Sequence, residues 1–83
     1  LNAPTYPPLS RQRGEEGKVM LRVELDETGR VSLAQVINSS GYKHLDEAAL
    51  SAVKTWHCNP PRRNGQPVRA IAMQPFNFIL PGD

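Results

Sequence analysis

Lys18-Val19-Met20-Leu21-Arg22-Val23-Glu24-Leu25-Asp26 decides the fold. Val19, Leu21, Val23 and Leu25 take one side of an extended chain, and Met20, Arg22, Glu24 and Asp26 take the other. A period of two with one apolar face marks a strand lying on a core. Asp26-Glu27-Thr28-Gly29 follows, a turn whose glycine adopts positive φ without steric cost. Val31–Ile37 then reads as the returning strand of a hairpin. Its phase slips, because Val31 and Leu33 alternate whereas Ala34 and Val36 fall on the opposite parity. The reading therefore places a bulge near Leu33–Gln35.

Beyond Ser39-Ser40-Gly41 the period becomes helical. Leu45, Ala48, Ala49, Ala52, Val53 and Trp56 form one apolar stripe. Asp46 and Glu47 in the first turn, with Lys54 and His57 in the last, complement the helix dipole. Asn59-Pro60-Pro61 stops the helix. Residues 62–67 read as a loop, and Val68–Leu80 as a final extended segment of about 43 Å. Upstream, Leu9–Arg13 reads as a single helical turn after Pro7-Pro8. The fold class is therefore α+β in the order (α)ββαβ. It has a three-stranded antiparallel or mixed sheet with one main helix packed on a face. With the first strand central, a right-handed crossover brings the last strand to its other side, antiparallel to the first and parallel to the second.

A chain of 83 residues is one small domain. Scaling gives roughly 4,900 Å² of folded surface, with about 60–65% of the open chain's surface buried. That core is too small to enclose a substrate. Net charge is +2, far from the basic excess of a nucleic-acid binder. One cysteine excludes an internal disulfide and any multi-cysteine zinc site. No apolar run approaches a membrane span. The start at Leu1, without methionine, reads as a piece of something longer.

Chemistry-bearing residues are scattered. His57 and Cys58 are neighbours whose side chains diverge by about 100° on a helix. His44 has no second histidine four residues away, and Asp46 and Glu47 point apart. Gly14-Glu15-Glu16-Gly17 would repel phosphate and reads as the turn into the first strand. These patterns exclude the usual enzyme and metal-site constellations, and the reading is non-enzymatic with no cofactor and no metal. Arg62, Arg63 and Arg69 form a basic cluster able to dock an acidic partner. The last strand is more informative. Apolar side chains occupy both its parities, and Pro75 sits in its middle, where proline implies an edge or a bulge. A long apolar edge is an aggregation liability unless it accepts another strand.

In order and spacing, the chain resembles the C-terminal domain of TonB-type energy transducers. The matching pieces run from Tyr6-Pro7 through Gly14-Glu15-Glu16-Gly17-Lys18-Val19, Thr28-Gly29-Arg30-Val31 and Val36-Ile37-Asn38-Ser39-Ser40-Gly41. They continue with Leu45-Asp46-Glu47-Ala48-Ala49-Leu50, Ala52-Val53, Trp56, Asn59-Pro60, Gly65-Gln66-Pro67-Val68 and Pro75-Phe76-Asn77-Phe78-Ile79-Leu80. The resemblance implies a periplasmic domain, residues 9–81, preceded by residues 1–8 as the end of a spacer leading to an inner-membrane anchor. It implies work with an inner-membrane proton-driven motor complex and with outer-membrane transporters of iron-siderophores, haem or cobalamin. The transporter's TonB box would add as a strand to Gln74, Pro75, Phe76, Asn77, Phe78, Ile79 and Leu80. Asn2, Ala3, Pro4, Thr5 and Tyr6 would also approach the transporter.

The resemblance has departures. Relatives often carry arginine and an aromatic where His57 and Cys58 stand, and alanine where Ser10 stands. Leu9 cannot supply a charged contact from the first turn. A cell-wall-binding (peptidoglycan) or secretion-linked relative is the alternative function. The open edge leaves the chain either a monomer or a strand-exchanged dimer.

Overall fold

The computed structural model describes residues 2–82; Leu1, the first residue of the expected segment 1–8, lies outside the described residues. The elements are α1 (Pro8–Gln12), β1 (Gly17–Leu25), β2 (Val31–Asn38), α2 (Lys43–Val53), β3 (Arg62–Arg63), β4 (Gln66–Pro67) and β5 (Ala70–Phe78). β1 is central in a three-stranded sheet of order β2-β1-β5, antiparallel to both neighbours. This is the expected α+β architecture, with a small β3-β4 hairpin added.

Burial along β1 follows its alternation. Val19, Leu21, Val23 and Leu25 are buried and meet Leu45, Ala49 and Val53 of α2. Phe78 closes the core at the far end. One helix covers one face, so the other face stays open, and Met73, Ile71 and Leu33 remain exposed. A single layer on a long sheet gives an elongated body of 51 × 20 × 17 Å. Its radius of gyration is 14.5 Å, against about 12 Å for a compact chain of this length. The accessible surface of 5661 Å² exceeds the scaling expectation for the same reason.

Four expectations are corrected. β2 carries its irregularities at Ser32 and Ile37, each skipped in the pairing with β1, and not at Leu33–Gln35. The first bulge turns Ala34 and Val36 inward and Leu33 outward. α2 ends at Val53, with Lys54 as its C-cap and Trp56 donating its amide to Val53. His57 is therefore no dipole partner. It forms a bridge with Arg30, and its ring Nε2 lies 3.1 Å from the Thr28 carbonyl. Residues 62–67 form a hairpin whose turn, Asn64-Gly65, has φ values of 53° and 77°. Both central residues are left-handed, as a tight two-residue hairpin turn requires. The last strand is Ala70–Phe78, shorter than Val68–Leu80. The Val68 amide is held by Pro61, and β1 offers no partner beyond Gly17.

Asp46 fixes the β2-α2 connection. It accepts hydrogen bonds from the Ser39 hydroxyl, from the Ser40 amide at 2.9 Å and from the Ser40 hydroxyl at 2.7 Å. Burial pushes its carboxyl up, but these bonds outweigh it and hold it below the usual carboxylate range.

Candidate functional site

β5 is the site. Its nine residues pair one-for-one with β1 from Gly17↔Phe78 to Leu25↔Ala70, without a bulge. Among the described residues its outer side has no strand partner. β2 is the other free edge, but its two bulges interrupt any regular ladder there.

The direction of the backbone groups follows from β1. Asp26 donates its amide to the Arg30 carbonyl, and the Glu24 carbonyl accepts from the Ser32 hydroxyl. Even-numbered residues of β1 therefore point their backbone at β2, and odd-numbered residues point theirs at β5. Val19–Phe76, Leu21–Gln74 and Val23–Ala72 are therefore among the pairs of the type that exchanges hydrogen bonds with β5. Ile71, Met73, Pro75 and Asn77 consequently direct their backbone groups outward. Pro75 then loses nothing to β1, because its nitrogen faces the free edge. Gln74 agrees with this geometry: its side-chain Nε2 reaches the Pro75 carbonyl at 2.9 Å.

The side chains of β5 divide between two faces. Ala70, Ala72, Gln74 and Phe76 oppose the buried residues of β1, Phe78 opposes the half-buried Gly17, and all five lie on the helix face. Ile71 and Met73 lie on the open face, 60% and 52% exposed. The apolar character of both parities thus reflects a core side and an uncovered side.

The structure brings the two expected contact stretches together through aromatic residues. Tyr6 packs edge-on against Phe78 with centroids 5.4 Å apart, and Trp56 against Phe76 at 5.8 Å. Trp56 Nε1 donates to the Asn2 carbonyl at 2.9 Å. Asn2, Ala3 and Thr5 line a groove of about 510 Å³ against Ala48, Ser51, Ala52 and Thr55 of α2. The Tyr6 hydroxyl donates to the Glu15 carbonyl. Desolvation, followed by the nearby Glu16 charge, pushes this phenol up, while Arg11 over the ring at 5.2 Å opposes the shift. Leu80 donates its amide to the Glu16 carboxylate at 2.5 Å, which ties down the chain after β5.

The arginines lie elsewhere. Arg62 and Arg63 are on the exposed β3-β4 hairpin, and Arg62 donates to the Gly65 carbonyl. Arg69 pairs with Glu27 at 2.5 Å, so its charge is already partnered. Both features sit at the Ala70 end of β5, away from Phe78. The sequence reading placed Ile71 and Met73 in the edge strand but began its expected contact stretch at Gln74, and it did not anticipate Trp56 as the link to Asn2. The parity of Pro75 was the available signal for the edge residues; nothing in the sequence announced the Trp56 hydrogen bond. Among the described residues no cluster of metal-ligating side chains occurs, and no helix is long and apolar enough to cross a membrane.

Comparison with known proteins gives one answer. Residues 2–80 match the family described as Gram-negative bacterial TonB protein C-terminal. Protein TonB of Vibrio cholerae is 40% identical over 79 residues, covering 95% of this chain and 32% of that protein. Protein tonB2 of Pseudomonas aeruginosa is 42% identical over 78 residues, covering 94% of this chain and 29% of that protein. The chain thus spans about a third of the length of the curated relatives it matches. Among solved structures, the solution NMR structure of Pseudomonas aeruginosa TonB CTD superposes with a TM-score of 0.85 at 27% identity. That match covers 99% of this chain and 83% of the other.

Proposed function

Because the chain belongs to the family of Gram-negative bacterial TonB protein C-terminal domains, we propose that it is the partner-binding domain of a periplasmic energy transducer. In this reading it captures the short TonB box of an outer-membrane transporter by strand addition to β5. It then passes on a pull derived from the proton gradient, generated by an inner-membrane motor complex to which the transducer's anchor connects. The cargo class is iron-siderophore, haem or cobalamin. The role is non-enzymatic.

One observation carries the reading: β5 is an unbulged edge, unpartnered among the described residues, whose outward backbone groups lie at Ile71, Met73 and Asn77. Main-chain pairing supplies affinity with little demand on side chains, so one edge suits several related peptides. Asn2–Tyr6 lies beside the Phe76–Phe78 half of the same strand and supports a second contact there.

The test is a titration of isotope-labelled chain with a synthetic TonB-box peptide, read by backbone amide shifts. Ile71, Met73 and Asn77 should move, and Val31–Asn38 should stay still. Absence of any shift on β5 at millimolar peptide, or larger shifts on β2, would overturn the proposal.

A further inference from the structure

Pro75 stands at the centre of the edge, and its outward backbone offers no donor. Its carbonyl, the remaining group, already accepts the Gln74 side-chain amide at 2.9 Å. We infer that Gln74-Pro75 is a guard against a second copy of this chain: it lets a foreign strand add to β5 but penalises β5-to-β5 pairing twice.

Symmetry sets this double penalty. Two copies joined edge to edge by a two-fold axis run antiparallel, and each contact occurs in duplicate. Outward residues face outward residues, so Ile71, Met73, Pro75 and Asn77 of one copy meet the same set from the other. In the fully overlapped register Pro75 of each copy faces Met73 of its partner, and each Met73 carbonyl is left without a donor. Sliding the register so that the prolines face each other leaves the Pro75 carbonyls without donors instead. The arrangements that escape confine the overlap to Ile71–Met73 or to the residues after Pro75. Such ladders are too short to hold a dimer. In each copy the Gln74 amide also competes with the partner strand's donor for the Pro75 carbonyl. An incoming peptide meets this obstacle once, and a second copy meets it twice.

The discrimination therefore has a numerical signature. Restoring one donor strengthens peptide addition by about threefold to tenfold. Restoring it in both copies strengthens dimerisation by the square of that factor, roughly tenfold to a hundredfold. The inference concerns the same edge as the proposed function but stands whether or not a transporter peptide is its ligand.

The experiment compares wild-type chain with Pro75→Val and Gln74→Ala by sedimentation equilibrium, with amide exchange on the dimerising species. Wild type should remain monomeric at concentrations where Pro75→Val dimerises, with Ile71 and Met73 amides gaining protection. Gln74→Ala should dimerise more weakly than Pro75→Val and more strongly than wild type, and it covers the case in which Pro75→Val fails to fold. A folded Pro75→Val with the wild-type monomer–dimer constant would overturn the inference, as would a wild type already paired through β5. If Pro75→Val does not fold, an unchanged Gln74→Ala overturns it. Peptide titrations on the same proteins separate the two ideas. A peptide that binds no variant defeats the proposed function alone, and a peptide gain as large as the dimer gain defeats the guard alone.

Discussion

Replacing Gly29 by alanine tests how the distal end of the domain is held. Gly29 has φ +85°, and an added Cβ would lie 1.6 Å from the Cys58 carbonyl oxygen and 2.7 Å from its carbon. The left-handed backbone alone costs an L side chain about 1–2 kcal/mol. The clash forces Cys58 to retreat by well over an ångström, which breaks the 2.8 Å bond from the Cys58 amide to the Gly29 carbonyl. That loss adds about 1 kcal/mol. The same retreat drags His57 from Thr28 and Arg30, for about 1 kcal/mol more. Together these give a destabilisation of about 3–4 kcal/mol, a large share of the roughly 4–12 kcal/mol expected for a chain of this length. At about 4–8 °C per kcal/mol the melting temperature should fall by about 15–30 °C. Gly14→Ala is the control, because Gly14 has φ +66° but nothing within 4 Å of an added Cβ. It should cost only about 1–2 kcal/mol. The assay is thermal and urea denaturation of both variants followed by far-UV circular dichroism. Equal losses in the two would refute the reasoning, since only the close approach to Cys58 separates them.

Other perturbations have equally definite outcomes. Ser10 is fully buried, and among the described residues its hydroxyl has no hydrogen-bond partner; Ser10→Ala should raise stability in urea by about 1 kcal/mol, and a loss of stability would contradict the assignment. Asp26 is held below the usual carboxylate range, first by the Thr28 hydroxyl and then by the Arg30 and Thr28 amides, and Asp46 is also lowered. Depressed folded values mean that the contribution is present above the unfolded value of about 3.9 and lost as pH falls through the folded ones. The melting temperature should therefore hold from neutral pH to about pH 5 and drop below about pH 4. An Asp26→Asn/Asp46→Asn double variant should show a shallower acid limb, and an unchanged limb would contradict this account. Trp56→Phe keeps a ring against Phe76 but removes the donor to the Asn2 carbonyl. Heteronuclear NOE values at Asn2–Thr5 should fall while those in β5 hold; unchanged values would show that the indole does not fasten the segment.

The elements legible in the sequence were those whose signal is local. β1 announced itself because its partners on one face are all core, so the alternation survives in composition. α2 was legible as a stripe but not in its end. Trp56 continues the apolar spacing although the chain has left the helix, and an aromatic packed on Phe76 from a turn looks in sequence like one packed from a helix. The β3-β4 hairpin was missed although Asn64-Gly65 is a direct turn signal, because its strands are two residues each and carry no alternation. The site was partly legible. Pro75 marked an edge, but which backbone groups face outward depends on the register with β1, and register is a tertiary property. Arg69 looked like a docking charge until the fold placed Glu27 beside it.

The two edges of this one small sheet show why a proline suits β5 and bulges suit β2. A bulge twists the strand and displaces its groups, which spoils the edge for every partner, foreign or identical. β2 has two such bulges and contributes Val31, Ala34 and Val36 to the layer beneath α2. A proline with its nitrogen outward removes one donor and leaves the strand flat on either side of it. β5 accordingly keeps its full pairing with β1, so a pull along an added strand would load a continuous ladder into the centre of the sheet. An edge that must never pair can be bent. An edge that is to pair with a peptide, as proposed for β5, and not with its own copy needs a defect that symmetry doubles, and a single proline near the middle of the strand would meet that requirement.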